Sequence, residues 1–189
     1  KVNSWVKKGI LVGFQVGSVV SYPSPSDAAP YLDKDTLPLK SLDHTSGVRI
    51  VPGGSSIRDG SYVGPQVICM PPMYINIGAY VDEASLIDSH ALVGSCAQIG
   101  ARVHISAGAQ IGGVLEPIGA MPVIVEDDAL VGGNTGLYEG TIVRRRAVIG
   151  AGTGITNSTP IVDLPKGKLL KSDPGMPTVI PEGAVVVPG

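Results

Sequence analysis

Apolar residues recur at every sixth position through most of this chain. They stand at Ile57, Val63, Cys69, Ile75, Val81, Ile87, Val93, Ile99, Ile105 and Ile111. After an interruption at "VLEPIGAMPVI" the register resumes at Val125 and runs through Val131, Leu137, Val143, Ile149, Ile155 and Ile161. Apolar residues make up 43% of the chain, so seventeen such positions in a row arise by chance roughly once in a million. A helix has a period of 3.6 and a strand a period of 2, so neither alone accounts for a spacing of six.

A second position supports the first. Four residues after each apolar one stands a small residue, among them Ser61, Ala79, Ser85, Ala91, Ala97, Ala109, Ala129, Thr135, Thr141, Ala147 and Thr153, with Val67 and Val103 slightly larger. Met73 and Leu115 are the large exceptions. One large and one small inward residue per six describes short strands joined by tight bends. Three such units close a triangular turn of about 18 residues, and turns stack at roughly the 4.8 Å spacing of paired strands. The expected fold is all-β dominated, a parallel β-helix. Hexapeptide-repeat solenoids are left-handed, against the usual crossover hand, and that hand is expected here.

Composition agrees. The chain has 189 residues, with 26 Gly and 16 Pro but a single Phe and a single Trp, so turns are many and aliphatic stacks replace an aromatic core. The hydrophobic content excludes a disordered chain. A net charge of −2 predicts no nucleic-acid surface and no attraction to anionic membranes. Two cysteines make neither a disulfide framework nor a metal cluster, which points to a reducing, cytoplasmic compartment. No signal peptide and no uninterrupted apolar span of about 20 residues is seen. The chain opens at Lys1 rather than Met and stops at "VVVPG", so missing ends are expected.

The repeat divides the chain. Residues 1–46 lack it: "WVKKGILVGFQVG" reads as a strand or hairpin, and "SYPSPSDAAPYLDKDTLP" as a Pro/Ser-rich loop. This strand/loop segment is expected to be the remnant of a longer amino-terminal domain. Residues 47–189 form the solenoid, with excursions at 115–124 and 162–179.

A filled prism has no deep pocket, whereas small-molecule sites are concave. A site must therefore come from a projecting loop, such as 115–124, or from a second subunit alongside. The segments "YINIGAYVDEASLIDSHALVGSCAQIGARVHISAGAQIGGVLEP" (74–117) and "VIVEDDALVGGNTGLYEGTIV" (123–143) resemble the tetrahydrodipicolinate N-succinyltransferases of the hexapeptide-repeat acyltransferase superfamily. "WVKKGILVGF" (5–14) and "GVRIVP" (47–52) are similar to the flanking segments of that family. The resemblance covers most of residues 1–160. It implies succinyl transfer from succinyl-CoA to a cyclic imine dicarboxylate, giving N-succinyl-2-amino-6-oxopimelate for diaminopimelate and lysine synthesis. It also implies a homotrimer and no tightly bound cofactor. Family members usually carry a helical amino-terminal domain and further carboxy-terminal residues.

Such a transfer needs a base, oxyanion donors and cations for the carboxylates. Asp88, in "LIDSHAL", follows inward Ile87, so its side chain leaves the prism. By pattern alone it caps a turn; the resemblance makes it the catalytic and substrate-binding carboxylate. Arg49 in "GVRIVP" matches a family arginine that binds the dicarboxylate, for which the guanidinium fork is suited; by pattern alone it is a surface residue. Gly133, Gly150 and Ala151 resemble family positions along the coenzyme A arm, although glycine also serves turn geometry here. Ser158 and Lys168 are further cofactor contacts, the lysine as a phosphate partner. Arg58 and Arg102 are lesser choices for the succinyl carboxylate.

His44, His90 and His104 read as structural or surface residues and do not make a zinc cluster, so no metal is expected. Cys96 reads as a small corner residue and Cys69 as an inward one, neither with an argued nucleophile's partners. The Arg144–Arg145–Arg146 run reads as a solvated corner. Some family members carry a glutamate where this chain has Gly136; no catalytic role passes to nearby Glu139. Two other functions compete: an acetyl-CoA-dependent transferase on the same scaffold, and a non-catalytic solenoid. Irregular, charged outward positions weigh against the regular threonine array of an ice-binding surface.

Overall fold

Three parallel sheets form the walls of a left-handed prism in the computed structural model, which describes residues 3–23, 30–170 and 176–189. The first wall stacks seven two-residue strands, from Arg49–Ile50 through Ile68–Cys69, Leu86–Ile87, His104–Ile105, Leu130–Val131 and Val148–Ile149 to Val185–Val186. The second starts at Ser56–Ile57 and ends at Gly154–Ile155, and the third runs from Tyr62–Val63 to Val179–Ile180. Each strand pairs with the strand one turn away, in register: Leu86 with His104 and Ile68, Ile87 with Ile105 and Cys69.

The hexad residues fill the interior. All are buried except Ile161. At Ile161 the chain leaves the prism as an antiparallel hairpin, Ile161–Asp163 with Lys168–Leu170. It returns at Val179–Ile180, and Ile180 takes the inward slot on the third wall with no exposure. Across the other excursion, Val123 supplies the small-corner packing that Leu115 does not, at 1% exposure.

The bends have a rule that the hexad spacing alone did not reveal. The third residue after most inward residues takes the left-handed backbone conformation, Pro72, Val114 and Ser158 excepted. Glycine holds it at Gly60, Gly78, Gly108 and Gly152, but His90 (φ 61), Cys96 (φ 64) and Arg102 (φ 55) hold it too. Side chains rarely adopt this conformation. Here the corner ladders enforce it: the Gly108 amide donates to Ser89 O at 2.8 Å, Asn134 to Ala107 O at 2.9 Å, and Gly152 to Gly133 O at 2.9 Å.

The amino-terminal segment departs from the expected strand. Ser4–Val16 is an α-helix, α1, because one of its faces has a partner: Lys7 and Ile10, three residues apart, are buried against the coil. Gly78 makes room for it, since a Cβ there would stand 3.0 Å from Ile10 Cδ1. Helical Gly9 and Gly13 weaken the local preference, and docking overrides it. The Thr36 hydroxyl donates to Gly13 O at 2.7 Å and closes the helix end. Beyond it, β1 (Val19–Tyr22) and β2 (Tyr31–Lys34) pair antiparallel, so part of the expected loop is a hairpin. Arg58 ties this hairpin to the coil, donating to the Asp33 carboxylate and, at 2.8 Å, to the Tyr74 hydroxyl.

Two glycines let the 112–123 loop leave the prism. A Cβ at Gly113 would lie 2.0 Å from Ser95 N, and one at Gly94 2.2 Å from Gly113 N. Both obstacles are backbone, so Gly113→Ala is expected to cost about 1–3 kcal/mol, a fall in melting temperature of roughly 2–12 °C. Gly119→Ala, with nothing within 4 Å, serves as the control in the same melts. Equal melting points for the two variants would refute the close approach.

Candidate active site

Asp88 stands where the first wall ends and the chain turns toward the second. In later coils the same place on this edge is held by Ser106, Gly132 and Gly150, each one residue after an inward aliphatic. Gly133 and Ala151 follow one residue further round the bend. The edge therefore brings together Asp88, Gly133, Gly150 and Ala151: one carboxylate, then turns with little or no side chain. Arg49 lies exposed on the wall that leads to it. Its strand pairs with Ile68, and Ile68 pairs with Leu86, so Arg49 sits two coils from Asp88, about 10 Å by strand spacing.

Asp88 is half-buried, and its Oδ1 accepts the Ser89 amide at 2.7 Å. Asn76 and Asp82 do the same for Ile77 and Glu83, each at 2.8 Å. Turn capping is thus a repeated function of this position, and Asp88 performs it while presenting a carboxylate at the edge.

Ser158 and Lys168 fall elsewhere. Ser158 lies on the next edge, between the second and third walls, with its hydroxyl 3.0 Å from that of Thr156; a six-residue unit carries the chain one wall further after Gly150. Lys168 is exposed on the Ile161–Leu170 hairpin. Arg58 and Arg102 are engaged, Arg58 as above and Arg102 on Asp128 at 2.6 Å. Arg144, Arg145 and Arg146 pair with Glu126, Asp127 and Glu182 along the edge from the third wall to the first. The guanidiniums of Arg145 and Arg102 hold the carboxyls of Asp127 and Asp128 below the ordinary range, by hydrogen bonds first. Glu139 accepts the Asn157 amide at 2.7 Å. Over Gly136 lies the Tyr138 ring, whose nearest atom would stand 2.5 Å from a Cβ there.

His90 is an exposed corner residue, His104 half-buried on the first wall, and His44 exposed before the coil begins. Among the described residues no group of three or more His, Cys, Asp or Glu is placed to hold a metal ion. Burial pushes the Cys69 thiol up to about 12 and raises that of Cys96, against an opposing pull from Lys7; neither is set up as a thiolate.

Two concavities flank the loop that leaves at Gly113. One, of about 700 Å³, lies between α1 and the third wall and is lined by Lys7, Tyr62, Tyr80, Cys96, Gln98 and Met121. The Tyr62 and Tyr80 rings stack there at 4.8 Å. The other, of about 410 Å³, lies between Pro117–Met121 and the edge bearing Glu139 and Asn157. Sequence reasoning missed the first of these, since its wall is a helix read as a strand. The helix's buried face pairs Ile10 with a lysine, Lys7, which gives no apolar signal by which the face could have been found.

Residues 122–157 match the model of the family described as "Hexapeptide repeat of succinyl-transferase". The 2,3,4,5-tetrahydropyridine-2,6-dicarboxylate N-succinyltransferase of Pelagibacter ubique is 44% identical over 193 residues, covering 100% of this chain and 67% of that protein. The chain belongs to the tetrahydrodipicolinate N-succinyltransferase family. The succinyltransferase of Nitrobacter hamburgensis is 42% identical over 192 residues. This chain spans 66% of its length, a little under two thirds. The acetyltransferase domain of PglB from Neisseria gonorrhoeae shares the fold at 17% identity, with a TM-score of 0.53 over 75% of this chain and 52% of that one.

Proposed function

We propose that this succinyltransferase-family chain moves a succinyl group from succinyl-CoA to the nitrogen of tetrahydrodipicolinate, yielding N-succinyl-2-amino-6-oxopimelate in diaminopimelate and lysine synthesis. Water opens the ring, and the freed nitrogen attacks the thioester carbonyl. A C–N bond forms, the C–S bond breaks, and the nitrogen's proton passes to Asp88 and from there to the departing sulfur, so that coenzyme A leaves as the free thiol. Arg49 binds a carboxylate of the acceptor. Gly133, Gly150 and Ala151 line the pantetheine arm, with Ser158 and Lys168 toward its far end. No cofactor is held tightly; succinyl-CoA is a co-substrate. The observation that carries this reading is the edge itself, where one outward carboxylate is followed by side-chain-poor turns that a thioester arm can approach closely.

The working form is a homotrimer. The outward positions of the first wall support it: below Arg49 the column is apolar at Ile68, Leu86, Leu130, Val148 and Val185, broken only by His104 between Leu86 and Leu130, and Val185 is 70% exposed. A neighbour packed on that wall covers the column and supplies the second side of the Asp88 groove. No helix among the described residues is long and apolar enough to cross a membrane, and we place the enzyme in the cytoplasm, where its thioester donor is made.

Thiol release from succinyl-CoA and acetyl-CoA, each with and without the cyclic dicarboxylate, tests the reading on the full-length protein. Acceptor-dependent release with succinyl-CoA is expected. Release with acetyl-CoA alone would reassign the donor, and none with either would make the solenoid a scaffold.

A further inference from the structure

Lys7 is a charged residue in a place where packing alone calls for an apolar one. Its side chain is 2% exposed, beneath the groove between α1 and the third wall. Burial lowers its pKa, with the neighbouring Cys96 pulling the other way. A buried ammonium is costly unless it is hydrogen-bonded, and a methionine would fill the same space without that cost.

The ammonium bridges a long stretch of sequence over a short distance: Nζ donates to Ala120 O at 2.7 Å, from residue 7 to residue 120. Among the described residues this is the one hydrogen bond between α1 and the 112–123 loop. The loop has few other anchors at its tip. The Ala120 amide bonds back to Pro117 O within the loop, at 2.9 Å, and Glu116, Pro117 and Gly119 are exposed. Next to the bonded carbonyl, Met121 lies against Gly140, whose added Cβ would meet its side chain at 2.9 Å.

The tip is a partition. On one side it closes the groove that Lys7 floors; on the other it forms one bank of the cleft whose far bank is Glu139 and Asn157. Asn157 adjoins Ser158, and the neighbouring second wall is open at Gly154, where an added Cβ would meet nothing within 4 Å, while the Tyr138 ring covers Gly136. The position of one carbonyl therefore sets the width of a cleft beside the surface assigned to the thioester arm.

We infer that Lys7 is a positioning residue, which clamps the 112–123 loop so that the loop forms one bank of the acyl-CoA site. It does not touch the reacting atoms. The inference rests on the acyltransferase reading above, and its test separates the two.

In the full-length protein, Lys7→Met removes the bond and keeps the packing, while Lys7→Gln keeps a shorter donor and guards against a misfolded Met variant. Amide hydrogen exchange in a peptide covering 113–123 is expected to quicken about tenfold in Lys7→Met, the size of one lost charge-assisted bond, and less in Lys7→Gln. The KM for succinyl-CoA rises by a similar factor, with kcat within about twofold of the unsubstituted enzyme. Unchanged exchange in both variants would overturn the clamp. Faster exchange with an unmoved KM would overturn the positioning role. If the unsubstituted protein releases no thiol, the parent reading falls, and the link from clamp to catalysis falls with it.

Discussion

Asp88→Asn is expected to lower kcat/KM for succinyl transfer by about 10²–10⁴, the usual cost of losing a positioned general base, with the melting temperature unchanged. The structure makes this substitution unusually clean. Asp88 caps its own turn by accepting the Ser89 amide, and a loss of activity on Asp88→Ala could follow from a loosened bend. Asn76 performs the same capping with an amide oxygen, at 2.8 Å from the Ile77 nitrogen. Asparagine at position 88 therefore keeps the cap and removes only the charge and the proton-accepting carboxylate. Initial rates with succinyl-CoA and the cyclic dicarboxylate, beside a thermal melt of both proteins, decide the matter. An Asn variant with full activity would reduce Asp88 to its capping role. One that melts early would mean that the carboxylate's charge is part of the fold.

The coil was legible in the sequence because each hexad meets the same surroundings one turn above and below, so a local pattern carries tertiary information. Two features of the edge followed from it. Asp88 leaves the prism because it succeeds Ile87, and the later glycines could be placed by counting. The count also puts Ser158 one wall beyond Gly150, a consequence of the same six-residue step. The α1 helix was not legible. Its apolar residues fit a strand as well as a helix until their partners are known, and those partners, Gly78 and Cys96, lie far along the chain. Lys7 was hidden for a related reason. A lysine in an amphipathic stretch reads as solvated, and only the return of the loop to Ala120 gives its ammonium a reason to be buried. The left-handed corners at His90, Cys96 and Arg102 were hidden because glycine, the residue that signals that conformation, is absent there.

The position of a residue along the stack should matter as much as its burial. Ile105 sits in the middle of the first wall, unexposed, between Ile87 below and Val131 above. Ile105→Ala removes side-chain contacts with both coils and leaves a cavity that short, tightly paired strands cannot collapse to fill. A loss of about 2–5 kcal/mol is expected, or roughly 4–20 °C in melting temperature for a chain of this size. In the 189-residue chain, Val186 occupies the equivalent slot in the outermost described strand of the same wall, is only partly buried, and pairs with Ile149. Val186→Ala deletes fewer atoms, but the larger difference is architectural. In a stack whose units bond only to their neighbours, damage at an end frays one unit, while damage in the middle uncouples the two halves. Val131→Ala, the same chemical change as Val186→Ala but in the interior, isolates that effect. It should cost clearly more than its terminal counterpart in denaturant unfolding, and its transition should broaden or split as the halves part company. Equal costs for Val131→Ala and Val186→Ala would mean that the prism melts as one indivisible core rather than as coupled coils.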